Sequence, residues 1–317
     1  MKKKLITLAF GIIILSFIIY SISPAKLLET LKDFNFSYLP LITLILIADY
    51  ILSGINIWVL VLPLKNVPLL RIIKYIFLTL FFAVILPGKL ADFLMIHFLK
   101  KDGITISQST IIVISDKVIS LIIKIIFGLI GAIFFLKQFN FLFIGIPLLT
   151  LLIIGIFLLV INSKKIRDLI KNKILKKYAN IMKGFSKDLK NYKEKYKTYF
   201  LYNGIITIIK NFIESLQFYL LFLSFGVNVN ILSIFFIFSL LSVIMLITFP
   251  IGISGLGARE LIGIIIFSSI GIDAAIVFEI FMIRLALIYL INLITFTIYH
   301  DELNILKNSN IINRFRS

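Results

Sequence analysis

The segment Phe249-Pro250-Ile251-Gly252-Ile253-Ser254-Gly255-Leu256-Gly257-Ala258-Arg259-Glu260 combines residue types that can hold an anion. Glycines such as Gly255 and Gly257 let backbone amides approach a ligand closely. The helix that follows points its partly positive N-terminus at the same place. Arg259 adds a two-pronged donor suited to phosphate or carboxylate, and Glu260 stands beside it as a carboxylate. A phosphate-bearing lipid headgroup would suit such a site. The competing reading is that the glycines let helices pack tightly and that Arg259 pairs with Glu260.

A degenerate copy precedes it. Leu86-Pro87-Gly88-Lys89-Leu90-Ala91-Asp92 also follows an apolar run and also ends on a carboxylate. With Asp92 set on Glu260, Gly103-Ile104-Thr105 falls on Gly271-Ile272-Asp273, and Asp116 falls on Arg284. We read this as an internal repeat. Asp116 and Arg284, equivalent in position and opposite in charge, are then expected to pair, either as a gate or as a lock, unless Asp116-Lys117 is simply an interfacial helix start. Lys210 and Glu214, one helical turn apart, should neutralise each other while facing a polar interior. Asp49, Ser53 and Asn56, at spacings of four and three, give another helix one polar face.

The elements that carry these residues are apolar helices. The chain has 317 residues, of which 60% are hydrophobic and only 15% charged. Soluble domains carry about 25% charged residues, whereas several runs here approach the ~20 apolar residues that cross a bilayer. The expected fold is all-α, a polytopic transmembrane bundle forming one integral membrane domain over residues 1–317. Six spans are expected, near 5–23, 39–62, 107–136, 141–161, 200–225 and 276–299. Two broken hairpins, 72–99 and 231–270, complete the set, with a loop from 24 to 36. The net charge of +18 is concentrated: thirteen Lys or Arg lie between Asn162 and Tyr199. Basic flanks of spanning helices signal the cytoplasmic side, so the termini and this stretch are placed there. The repeat halves, about 5–136 and 141–300, then start on opposite sides of the membrane. An inverted repeat with discontinuous helices points to a transporter whose site lies between the halves.

Within 162–199, apolar residues from Ile166 through Tyr192, Tyr196 and Tyr199 recur at spacings of three and four. The expected element is an amphipathic helix whose cations, Lys164 to Lys197, lie on an anionic leaflet; a short coiled-coil dimer is the competitor, and a homo-oligomer is allowed. Nucleic acid is not an expected partner. The chain has no cysteine. It holds no P-loop, HExxH or complete GxGxxG pattern, and no nucleophile elbow with a histidine partner. His97 and His300 sit at helix edges. The protein is therefore expected to be no enzyme, with neither cofactor nor metal.

The Pro87–Asp92 element, the segment from Gly103-Ile104-Thr105 to Asp116-Lys117, and Pro250-x-x-x-Ser254-Gly255-Leu256-Gly257-Ala258-Arg259-Glu260 resemble one signature. It belongs to the flippase-like transmembrane region of lysylphosphatidylglycerol synthases and of stand-alone bacterial and archaeal membrane proteins. The likeness spans roughly residues 5–300. It implies a domain that binds or translocates polar lipids in a cell membrane. The soluble domain that makes the aminoacylated lipid is absent here, so synthase activity is not implied. Asp116-Lys117 departs from the Glu-Arg type pair common in relatives. The expected function is a lipid translocase, with Arg259, Lys210 and Lys117 as headgroup contacts and Asp92 and Glu260 as gating carboxylates. A small-anion transporter and an accessory subunit of a membrane glycolipid enzyme are the rivals.

Overall fold

The computed structural model of the protein describes residues 2–85, 88–135, 185–248 and 256–299, with isolated positions between 145 and 155. Every regular element among them is helical. The fold is an all-α, polytopic helical bundle. Among the described residues four helices are long and apolar enough to cross a membrane, and a fifth is added if one bent pair counts as a span. The expected span at 141–161 lies outside the described residues.

That bent pair corrects the expected loop at 24–36. Helix α1 (Lys2–Ile22) ends at Ser23, and α2 (Pro24–Lys32) starts at once with its axis turned by 78°. Pro24 has no N–H to donate, so it breaks the first helix yet suits the first turn of the next. Ser23 carries the turn at a φ of 81°. Lys26 then ties α2 to Asp273 at 2.6 Å.

Helix α3 (Leu39–Val61) is followed by the first hairpin, built from α4 (Leu69–Ile85), a 3-10 turn (Gly88–Phe93) and α5 (Leu94–Lys101). Its two legs fold back on each other. Tyr75 near the start of α4 stacks on Phe98 near the end of α5, with ring centroids 4.8 Å apart. Arg71 bonds Asp102 at 2.9 Å across the feet. The long α6 (Ile106–Phe135) completes this half.

Past the undescribed stretch, α7 (Phe185–Lys195) leads into α8 (Lys197–Ser224), which starts three residues earlier than expected. Helix α9 (Ile231–Thr248) and α10 (Ala258–Ser268) form the second hairpin, and α11 (Ala274–Ile298) is the last described helix. Phe267 at the end of α10 packs on Phe222 near the end of α8, 5.1 Å between centroids. That contact returns the hairpin to the side from which α9 sets out.

The halves answer each other locally. Gly103 and Gly271 both take positive φ, 79° and 88°. Each ends a short helix with the same bonds: Ile104 N–H to Leu99 O, and Ile272 N–H to Phe267 O, both 3.2 Å. The contacts are mirrored as well. α3 packs on α8, α4 on α11, α6 on α9, α5 on α6, and α10 on α11. Small residues permit the closest of these: a Cβ added to Gly131 of α6 would lie 2.7 Å from the backbone of Phe236 in α9. Such close backbone approach is how helices associate where burial of apolar surface drives little.

Two apolar clusters result. One joins the first half of α3 to α8–α11 around Leu46, Phe218 and Phe281. The other joins the end of α3 to α4, α5 and the start of α6 around Leu60, Leu78 and Leu94. Tyr192 belongs to the second and donates its hydroxyl to the Leu60 carbonyl. At this position the amphipathic stripe packs on the protein itself; residues 162–184 of that stripe lie outside the described residues.

A candidate charged cavity between the two apolar clusters

The polar face of α3 lies where the two clusters part. There a cavity of about 310 Å³ opens, lined from α3 by Ser53 and Asn56, from α4 by Thr79, and from the 3-10 turn by Asp92. α6 contributes Asp116, Lys117, Ser120 and Lys124; α8 contributes Thr207, Lys210, Asn211 and Glu214; α9 contributes Ser242. Asp116 lies ten residues into α6 and Lys210 thirteen into α8. At 1.5 Å per residue these are about 15 and 20 Å from the helix starts, well inside helices of 30 and 28 residues.

Helical periodicity aims these side chains inward. Lys117, Ser120 and Lys124 recur at three and four residues on α6, as Asn203, Thr207, Lys210 and Glu214 do on α8. Ionisable groups at such depth are tolerated because they meet one another. Glu214 holds two ammonium groups, Lys124 at 3.0 Å and Lys210 at 3.6 Å. Lys210 also faces Asp49 at 3.8 Å. Lys117 lies 3.4 Å from Asp92 and 3.7 Å from Asp116, with half of its side chain exposed.

Asp116 is anchored separately. Its Oδ1 accepts from Asn56 Nδ2 at 2.9 Å and Asn203 Nδ2 at 3.2 Å, and Asn56 also donates to Thr207 at 3.0 Å. Asn211 donates to Ser239 of the second hairpin at 2.6 Å. The amide oxygens of Asn56, Asn203 and Asn211 are buried with no hydrogen-bond partner among the described residues.

The structure sorts the expected site residues. Asp92, Asp116, Lys117, Lys210 and Glu214 come together in the cavity. Pro87 and Gly255 lie outside the described residues. Gly88 and Lys89 belong to the 3-10 turn, of which only the backbone is described for these two. Asp116 and Arg284 do not pair. Arg284 instead donates from Nε to Gln217 at 2.9 Å and lies 5.3 Å from the Phe218 ring. The sequence alignment sets the two positions on each other, but the structure gives them different neighbours.

Gly257, Arg259 and Glu260 also stand apart from the cavity, and their arrangement is the close-packing alternative. Arg259 binds Glu260 Oε1 through Nε at 2.9 Å and Nη2 at 2.6 Å. Glu260 is fully buried, and its Oε2 accepts from the Gly257 N–H at 2.6 Å, capping the start of α10. Gly257, at a φ of 84°, leaves room for α1: a Cβ there would meet Gly11 O at 2.8 Å. Arg259 and Arg284 lie over Phe281 and Phe218, rings that touch each other at 5.4 Å. These cations rest on an aromatic pair, a favourable contact when desolvated.

Lys124, the nearest partner of Glu214, is the residue that sequence reasoning did not place in the site. Its seven-residue spacing from Lys117, two turns on one face, was the available signal. Ser242, which accepts from Lys124 at 3.4 Å, had none, being one serine in an apolar run. The sequence profile of the lysylphosphatidylglycerol synthase transmembrane region matches residues 4–295 of this chain. No protein of curated function and no solved structure matches it significantly.

Proposed function

Because the chain belongs to the lysylphosphatidylglycerol synthase transmembrane-region family, we propose that this multi-pass membrane protein is a non-enzymatic translocase for a phosphate-bearing polar lipid. The observation that carries the reading is the convergence of Lys117, Lys124 and Lys210 on one cavity. Its volume of about 310 Å³ suits a headgroup rather than acyl chains. Each of the three lysines faces a carboxylate, so a phosphate would exchange partners with Asp92 or Glu214 instead of meeting bare charges. The mirrored helix contacts and the matching turns at Gly103 and Gly271 support two inverted repeats, 5–136 and 141–300, with the cavity near their interface. The charge bias supports a cell-membrane protein with cytoplasmic termini, whose segment Lys164–Lys197 faces an anionic leaflet.

The test is movement of headgroup-labelled phospholipid between leaflets of liposomes holding the purified protein. Lys210→Gln and Lys124→Gln, each folded by circular dichroism and elution profile, should slow transport about tenfold or more, the loss of one charge-assisted contact. Unchanged rates in both would remove the cavity from the path. The same volume would admit a small soluble anion, so efflux of entrapped phosphate is measured alongside. Efflux without lipid movement would replace the lipid by that anion.

A further inference from the structure

A second cavity, of about 350 Å³, lies at the feet of the first hairpin, well away from the charged cavity between the clusters. Three cations line it from three places: Lys65 in the turn between α3 and α4, Arg71 in the first turn of α4, and Lys101 at the end of α5. One carboxylate, Asp102, lines it with them, leaving a surplus of two positive charges among these four groups.

The single carboxylate is engaged through one of its two oxygens; its Oδ2 is buried with no hydrogen-bond partner among the described residues. Asp102 Oδ1 takes Arg71 Nη1 at 2.9 Å, which fixes the guanidinium plane at the cavity wall. Among the described residues Lys65 and Lys101 have no carboxylate partner. Gly103 is what lets Lys65 in: a Cβ at that position would lie 2.7 Å from the Lys65 Nζ. Gly103 also has the positive φ, 79°, that ends α5. Pro68, another lining residue, immediately precedes α4, so the positive end of that helix dipole adds to the field. Like charges brought this close repel, and a bound anion relieves that cost.

We infer that this cavity binds a phosphate group at the membrane surface. Lys65 and Lys101 would supply the charge and Arg71 the oriented donors, with the three contacts drawing the two legs of the hairpin together. The chemistry is that of a phosphate ester or free phosphate. An anionic lipid headgroup is one source and a soluble phosphate the other. The site does not depend on the transport reading, because none of its residues lines the charged cavity between the clusters.

Native mass spectrometry of the full chain in detergent tests it, with phosphatidylglycerol, phosphatidylcholine and inorganic phosphate as separate probes. The variant Lys65→Gln/Lys101→Gln removes two exposed cations. Lys32→Glu, at an exposed position on α2, lowers the net charge by the same two and serves as the control. The expected result is binding of phosphatidylglycerol over phosphatidylcholine that weakens about tenfold or more in the first variant and not in the second, as loss of charge-assisted contacts requires. Binding of inorganic phosphate with the same dependence on Lys65 and Lys101 would make soluble phosphate the ligand of the same site. Equal binding by both variants and wild type, equal losses in the two variants, or binding of none of the probes would overturn the proposal.

Discussion

Lys124 of α6 and Glu214 of α8 lie 3.0 Å apart although 90 residues separate them in the chain. Their contact joins α6 to α8 across the cavity and makes Glu214 the shared counter-ion of two lysines. Only about one-eighth of the Glu214 side chain is exposed, at 12%, so little water is present to replace either partner.

Removing the shared carboxylate should therefore harm the protein more than removing one cation. Glu214→Gln leaves Lys124 and Lys210 short of a counter-ion in a buried setting, where a broken pair costs about 3–5 kcal/mol. Lys124→Met leaves Glu214 still facing Lys210. The expected order of thermal stability in detergent is wild type, Lys124→Met, then Glu214→Gln. The double variant should recover part of the loss seen in Glu214→Gln alone.

Asp116 and Arg284 should prove energetically independent. Each has its own partners, Asn56 and Asn203 for the first and Gln217 for the second. Asp116→Ala removes the acceptor of two buried amides and should cost about 1–3 kcal/mol. Combined with Arg284→Met, the losses should add to within about 0.5 kcal/mol in a double-mutant cycle. A larger coupling would restore the charge pair that repeat equivalence suggests.

Arg259 is expected to act on stability ahead of transport. Arg259→Ala would leave Glu260, which is fully buried, with the Gly257 N–H as its one remaining partner among the described residues. The cost should be about 3–5 kcal/mol. Glu260→Gln introduced beside it should return much of that stability, since the stranded charge is gone. Transport per folded molecule, measured in liposomes, should stay within about twofold of wild type in this double variant, less than the loss of one charge-assisted contact would produce.

Acid should release α2 from the rest of the bundle. The Lys26 ammonium, bonded to Asp273 at 2.6 Å, holds that carboxyl below its ordinary range, and the Ala275 N–H assists. A carboxylate with a lowered folded-state value contributes stability above its unfolded value. That contribution is lost as pH falls through the lowered one. Both side chains are more than a third exposed, so the effect is local. Relative to the intrinsic chemical rate at each pH, hydrogen exchange of Leu27–Lys32 should be slow at neutral pH and quicken below about pH 4. Asp273→Asn should show fast exchange at every pH.

The class of fold and the described helices other than α2 were legible in the amino-acid sequence, because each rests on local physics. Apolar runs of spanning length need helices, and proline with glycine interrupts them. The Lys210/Glu214 pair was legible for the same reason: one turn of one helix brings both side chains to one face. The matching turns at Gly103 and Gly271 follow from single glycines able to take positive φ. Contacts between helices depend instead on how each helix is rotated against its neighbour. That rotation is set by close approaches such as Gly131 on Phe236 and Gly257 on Gly11. Tertiary packing alone brought Lys124 to Glu214, gave Asp116 to two asparagines, and turned Arg259 inward to Glu260 on a ring of α11. Periodicity names the face of a helix that is polar, and packing decides what that face meets.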